Sequence, residues 1–405
     1  MIASDLTRTQ TTSAVRRHLV FVGGTSEPGG LHVHTADIAQ SCAALGCRVT
    51  ILCTSINYFA QLLADDAVTI DAIRPLSEMG WQEWIRTWQG LSGEAVRPDI
   101  IFCCGHQGDT RIMDLAAAAL FGRTVNTIVH RPFEESWNLR ISKAVYGRLS
   151  SMFLTGVVAV SDEIASNVSH DFRVPAQKVS TCFNWANPIF RIPTAAERAE
   201  ARQARGIDPA VILIGFLGRL SPQKRVDALL QAFAGIATDL DVPVRLGLFG
   251  DGWKRKALTE LTHALRIEDR VCFFGWASAP WSALAACDIF VLPSVVEGFP
   301  LALIEAMATG CACLAHPMAS AMRLIEDGTH GMLADLSDSR SFATALRALI
   351  DCGPAARAKM GHAAAERVAT EYSRSKRLPS VLSALGIEAD FLPEFRLKEL
   401  EFKAG

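Results

Sequence analysis

A chain of 405 residues is too long for one ordinary core, so two α/β domains are the starting expectation. Half of its residues are apolar and 20% are charged, which excludes a disordered or low-complexity protein. The net charge of −2 excludes a general attraction to nucleic acid, and no apolar run reaches the ~18 residues that span a bilayer.

The polar stretch 1–15 carries Asp5 ahead of any apolar run, so it reads as a disordered tail and not as a signal peptide. Residues 19–22 form the first predicted strand. The glycine-rich loop Gly23-Gly24-Thr25-Ser26-Glu27-Pro28-Gly29-Gly30 follows, then a helix over about 31–45 closed by Gly46. Further strands are predicted at 49–53, 100–104, 124–129 and 156–160. The last two end at His130 and Ser161. Strands alternating with helices predict a parallel, doubly wound sheet.

A boundary is expected over 187–210. Asn187-Pro188 breaks the pattern, Thr194 and Glu197 form a capping box, and Asp208-Pro209 ends the polar helix that the box opens. A second βα series then places strands at 211–217, 245–249, 270–274, 289–292 and 312–315, without detectable sequence repeat of the first. Two such halves put the default ligand site in the cleft between them.

The stretch Glu297-Gly298-Phe299-Pro300-Leu301-Ala302-Leu303-Ile304-Glu305 carries the most chemistry. A strand precedes it, a Gly/Pro turn opens a helix, and the two carboxylates lie eight positions apart. Free N–H groups at a helix N-terminus suit phosphate or sugar oxygens, and carboxylates accept hydrogen bonds from vicinal hydroxyls. Together they point to a nucleotide sugar. Gly218-Arg219-Leu220-Ser221-Pro222-Gln223-Lys224-Arg225 follows the first strand of the second half and brings three cations to a turn. Such a turn grips a diphosphate or is merely a solvated basic turn.

Other segments read both ways. The loop ending in Gly29-Gly30 lacks both the Walker and the G-x-G-x-x-G spacing, so it is an anion-approaching turn or a plain βα turn. His130 closes a strand and donates to substrate or is structural. His106 has a weaker version of the same case, and His32 and His34 stay unassigned. Gly250-Asp251-Gly252 is a tight turn, and Gly275-Trp276-Ala277 offers an indole face to a base. The stretch 137–148 mixes basic and aromatic residues on a helix that meets anionic lipid head groups or only water. Eleven cysteines without paired spacing fit a reducing cytosol, and Cys103-Cys104 and Cys311-Ala312-Cys313 read as core residues, so no metal is expected.

These residues resemble a known family. The pattern Pro-Ser-x-x-Glu-Gly-Phe-Pro-x-x-x-x-Glu-Ala-Met-Ala-x-Gly, with Gly-Arg-Leu-x-Pro-x-Lys upstream, is similar to the retaining glycosyltransferases of family 4 and their E-x7-E motif. The resemblance implies a GT-B fold, two Rossmann-like doubly wound domains facing across a cleft. It implies an acceptor-side domain over 1–190 and a nucleotide-sugar domain over 191–373. Residues 374–405 would then return to the first domain as a helix with a tail. By resemblance, Glu305 holds the ribose, Glu297 meets the donor sugar, and Arg219 and Lys224 grip the diphosphate. Backbone at Gly298, Phe299 and Leu301 cradles sugar or phosphate, Gly29 and Gly30 approach from the first domain, and His130 points at the transferred sugar.

The sequence departs from that family at four places. The usual Asn-Gly is Asn184-Trp185, Arg225 replaces a small residue, Arg323 stands where a carboxylate is common, and Arg131 follows His130. The activity implied is transfer of a hexose from a nucleotide-diphosphate sugar to a glycan or lipid-linked acceptor of the cell envelope, with retention. The expected setting is cytoplasmic, with contact at the inner membrane face left open. No Asp-x-Asp motif stands beside these elements, so no cofactor or obligatory metal is expected. The rival readings are a nucleotide-sugar epimerase of the same fold and a donor-binding protein without activity. A nicotinamide dehydrogenase lacks its fingerprint here.

Overall fold

Residues 17–23, 29–53, 59–60, 62–63, 68–72, 86, 98–104, 119, 124–129, 140–237 and 239–387 are described by the structure, a computed structural model. His106, His130, 24–28, 137–139 and the stretch 1–16 lie outside them. Seven strands build the first sheet: β1 (His18–Gly23), β2 (Arg48–Cys53), β3 (Val68–Ala72), β4 (Ile100–Cys104), β5 (Thr124–Val129), β6 (Gly156–Ala159) and β7 (Val179–Thr181). Their order is β3-β2-β1-β4-β5-β6-β7, parallel throughout. The second sheet holds β8 (Ile212–Leu217), β9 (Val244–Phe249), β10 (Val271–Gly275), β11 (Ile289–Leu292), β12 (Ala312–Ala315) and β13 (Met332–Leu333). Its order is β10-β9-β8-β11-β12-β13, again parallel.

Every predicted strand is present. The strands that the sequence did not reveal are β3, β7 and β13, and all three are sheet edges. A central strand of a parallel sheet is buried on both faces and shows as a continuous apolar run. The edges lack that requirement: β7 reads Val-Ser-Thr and is partly exposed, and β13 has two residues. Strand order reverses between β1 and β4 and between β8 and β11, and ligands of such sheets bind beyond the strand ends at these switch points.

The capping box forms as expected: Glu197 N donates to Thr194 Oγ1, and Thr194 N donates to Glu197 Oε2 at 2.8 Å. The helix Ala195–Gln203 ends before Asp208-Pro209, in a turn that Gly206 closes at φ 63°. It belongs to the second domain. Arg198 donates to Asp288 Oδ1 at 2.7 Å and Arg202 to Oδ2 at 3.1 Å, which fixes the residue just before β11.

The chain crosses back after the long helix Gly353–Glu371. Ser373 bridges to Ala186, and the helix Arg374–Ala384 packs against β6. The joint is polar and buried. Asp37, on the first helix Gly30–Ala44, accepts from Trp185 Nε1 at 2.5 Å, Asn187 Nδ2 at 2.8 Å and Arg374 NH2 at 2.5 Å. Burial pushes its carboxyl above the ordinary value, against the opposing pull of Arg374 and the three donors. Replacing Asp37 with Ala deprives these three donors of their acceptor. The expected loss is roughly 3–5 kcal/mol, read as a fall in the urea midpoint.

Candidate functional site

The site is built from loops at the C-terminal ends of β8 and β11, which are hydrogen-bonded neighbours. After β8 the chain turns through Gly218-Arg219-Leu220 into the short 3-10 turn Pro222–Lys224. The Gly250-Asp251-Gly252 turn braces this loop: Leu220 N donates to Asp251 O at 2.9 Å, and Gly218 N donates to Phe249 O at 2.9 Å. A Cβ at Gly250 would lie 1.8 Å from Gly218 O, so only glycine permits the approach. The sequence showed this turn but not its role as the seat of the basic loop.

Lys224 Nζ donates to Glu297 Oε1. The pair joins the two loops, with side chains 19% and 13% exposed. Gln223 Nε2 adds a bond to Val296 O at 2.7 Å. The eight-residue helix Leu301–Ala308 begins at Pro300, and no side chain caps it. Its first N–H groups therefore remain for an anion or sugar oxygen.

From the first domain, Gly29 and Gly30 open the helix that follows β1 and meet the same place. A Cβ on Gly29 would lie 2.9 Å from the Arg219 guanidinium, and one on Gly30 would lie 3.2 Å from Leu301 Cδ1. The structure thus brings Gly29, Gly30, Arg219, Lys224, Glu297 and Leu301 together across the cleft, with Gly298 and Phe299 in the connecting loop. Glu305 lies within the helix, 9% exposed, and burial pushes its carboxyl up to about 7.

Other candidates resolve differently. Arg225 takes φ 47° and its Nε lies 3.6 Å from Asp227, so its guanidinium is engaged within its own turn. His32 and His34 are buried; burial pushes His34 down to about 3, and its ring meets Trp185 edge-on at 4.6 Å. Trp276 is half-exposed beyond β10. Cys103, Cys311 and Cys313 are buried free thiols, and burial pushes Cys311 up to about 12. Among the described residues no group of three or more His, Cys, Asp or Glu is placed to hold a metal ion.

One contact escaped the sequence reading. Asn184 Nδ2 donates to Phe299 O at 2.9 Å, so the first domain holds the loop that carries Glu297. The departure from the family pattern at 184–185 was its only signal.

Comparison with known proteins agrees with this geometry. Residues 28–188 match Glycosyltransferase Family 4, and residues 197–367 match Glycosyl transferases group 1. The chain carries these two glycosyltransferase domains in sequence. It is 30% identical over 224 residues to N-acetyl-alpha-D-glucosaminyl L-malate synthase of Bacillus anthracis, covering 55% of this chain and 57% of that protein. It is 29% identical over 222 residues to alpha-D-kanosaminyltransferase of Streptomyces kanamyceticus, covering 54% and 57%. The matched region thus spans little more than half of these two relatives. A solved structure of Anabaena Alr3699/HepE, in complex with UDP and glucose, superposes with a TM-score of 0.77 at 20% identity over 92% of this chain and 100% of that one. The fold is GT-B.

Glu305 sets a pH dependence. Its ordinary value is 4.5 and its folded value about 7. Between these the unfolded chain releases a proton that the folded one keeps, so the empty protein loses stability as pH rises through that window. Glu305→Gln should flatten this slope and leave the empty protein more stable at pH 8 by up to about 3 kcal/mol. Thermal unfolding of both proteins at pH 5 and pH 8 checks it.

Proposed function

We propose that this protein transfers a hexose from a nucleotide-diphosphate sugar to a glycan or lipid-linked acceptor, with retention at the anomeric carbon. One observation carries the reading: Gly29 and Gly30 of one domain converge on Arg219 and Leu301 of the other, beside the Lys224–Glu297 pair. That is a place with backbone N–H groups, two cations and a carboxylate, which suits a diphosphate joined to a sugar. The bound UDP and glucose of the HepE structure support the donor class.

In this reading negative charge grows on the leaving diphosphate as the glycosidic bond breaks. Arg219, Lys224 and the first N–H groups of the Leu301–Ala308 helix stabilise it, and no resident metal is required. Glu297 meets the donor sugar, and Glu305 accepts hydrogen bonds from the ribose hydroxyls. Those donors favour the ionised carboxylate and lower its proton affinity. The leaving phosphate takes the acceptor's proton, so no protein base is needed. His130 is assigned to the transferred sugar on its motif alone.

We place the reaction at the cytoplasmic face of the membrane. The helix Arg140–Phe153 contains Arg140, Lys143 and Arg148 and no acidic residue. Val145, Leu149 and Met152 lie exposed at 51%, 43% and 74%, spaced along one helical stripe. Leu149→Asp with Met152→Asp should reduce sedimentation with anionic phospholipid vesicles by at least about tenfold, a loss that neutral vesicles would not show.

A thermal-shift panel with UDP, GDP, ADP, CMP and a nicotinamide dinucleotide tests the donor reading. One nucleoside diphosphate should raise the melting temperature of the wild type and not of Lys224→Ala. With the matching nucleotide sugar, Lys224→Ala should lower kcat by about 10²–10³. A near-normal kcat would remove Lys224 from the mechanism, and release of nucleoside diphosphate at full rate without acceptor would favour an epimerase.

A further inference from the structure

Two of the places where the sequence departs from the family pattern, Asn184-Trp185 and Arg323, meet behind the Glu297 loop. Phe183 and Asn184 follow β7 at the cleft end of the first sheet. Asn184 donates to Phe299 O at 2.9 Å, and the Phe183 ring lies 5.1 Å from the Phe299 ring. Among the described residues Asn184 Oδ1 is buried without a hydrogen-bond partner, so the side chain's polar tie there is to the donor loop.

Arg323 joins the same cluster from the second domain. It lies on the short helix Ala319–Leu324 after β12. Its guanidinium stacks 4.1 Å over the Phe183 ring, and NH1 lies 3.2 Å from Asp162 Oδ2, at the start of the first-domain helix Asp162–His170. Its carbonyl accepts from Arg367 NH2 at 3.0 Å and from Tyr372 OH at 3.4 Å. Ser320, on the same helix, donates to Glu297 O at 3.3 Å. Arg377 completes the cluster, 5.3 Å from Phe183 and 4.9 Å from Tyr372.

The loop 297–299 is therefore held by Asn184 from one domain and by Ser320 from the other. The Arg323 stack on Phe183 connects the two holds. An ion pair as exposed as Asp162–Arg323 does little alone. A guanidinium stacked on a buried ring and a buried amide bond to a backbone carbonyl give the connection its direction.

We infer that Phe183, Asn184 and Arg323 are positioning residues that lock the Glu297–Phe299 loop to the relative placement of the two domains seen in this structure. The placement of the two domains and the placement of Glu297 are then coupled. The inference rests on the proposed reaction, in which Glu297 meets the transferred sugar. It assigns a mechanical role to the cation that stands where the family pattern has a carboxylate. The side chains that grip the donor nucleotide, Arg219, Lys224 and Glu305, lie outside this cluster, and only the amides at the head of the Leu301–Ala308 helix adjoin it, so turnover falls further than nucleotide affinity.

The test compares Asn184→Ala, Arg323→Ala and the double variant with the full-length wild type. Each single change should lower kcat about tenfold, and the double variant should match either single change because the residues act as one unit. Affinity for the nucleoside diphosphate chosen by the thermal-shift panel, read by calorimetry, should stay within about threefold. Hydrogen exchange of the Leu303 and Ile304 amides, which donate to Pro300 O at the end of this loop, should quicken at least about fivefold in the unliganded protein. A kcat within about twofold of wild type, or nucleotide affinity falling in step with kcat, would overturn the inference. Unchanged exchange at Leu303 and Ile304 would also overturn it. Should one variant fail to fold, the other decides alone. If the wild type turned over no nucleotide sugar, the reaction would be lost as a reading, while the exchange data would still decide the lock.

Discussion

Three segments far apart in sequence end on one buried carboxylate. Asp37 accepts hydrogen bonds from Trp185 and Asn187 in the linker and from Arg374 at the head of the returning helix. A carboxylate so enclosed is costly unless its donors are present, so the three segments are obliged to assemble together. This obligation fixes the angle at which the chain leaves the first domain, and the returning helix fixes it again from the other side. The cleft has its width because both crossings are tied to the helix that begins at Gly30. That same helix brings Gly29 and Gly30 to the basic loop, so the joint and the site share one rigid element.

Within the cleft the dominant feature is charge held in reserve. Lys224 and Glu297 face each other with little exposure, each satisfying the other in the absence of ligand. In the proposed reaction a diphosphate arriving beside Lys224 would offer a stronger acceptor and free the Glu297 carboxylate for hydroxyl groups. Glu305 works on a different principle. Among the described residues no cation pulls it toward the ionised form, and burial raises its proton affinity.

How much of this was legible follows from what each residue answers to. The central strands, the basic turn and both glutamates answer to local rules: two-sided burial, turn chemistry and helix-terminus electrostatics. They could be read from short windows. The edge strands β3, β7 and β13 answer to weaker burial and left no apolar run. Asp37, Asn184 and Arg323 answer to partners 115 to 337 positions away, or across the cleft, and no window contains both ends of such a bond. Asn184 and Arg323 were visible only as breaks in a pattern, which located them without explaining them. Asp37 left no trace, because one acid in a helix looks like a solvated position until the fold buries it.

The returning helix has a consequence for how the protein comes into being. Ala186 pairs with Ser373, Arg17 donates to Gly386 O at 2.6 Å, and Arg374–Ala384 covers β6. The first domain is thus completed by residues that leave the ribosome after the entire second domain. During synthesis its sheet must wait, with β6 packed against the helix Asp162–His170 but lacking the returning helix, and with Asp37 lacking Arg374. At 5–20 residues per second that wait is on the order of ten seconds or more. The first domain therefore reaches its final packing only once the returning helix has been made.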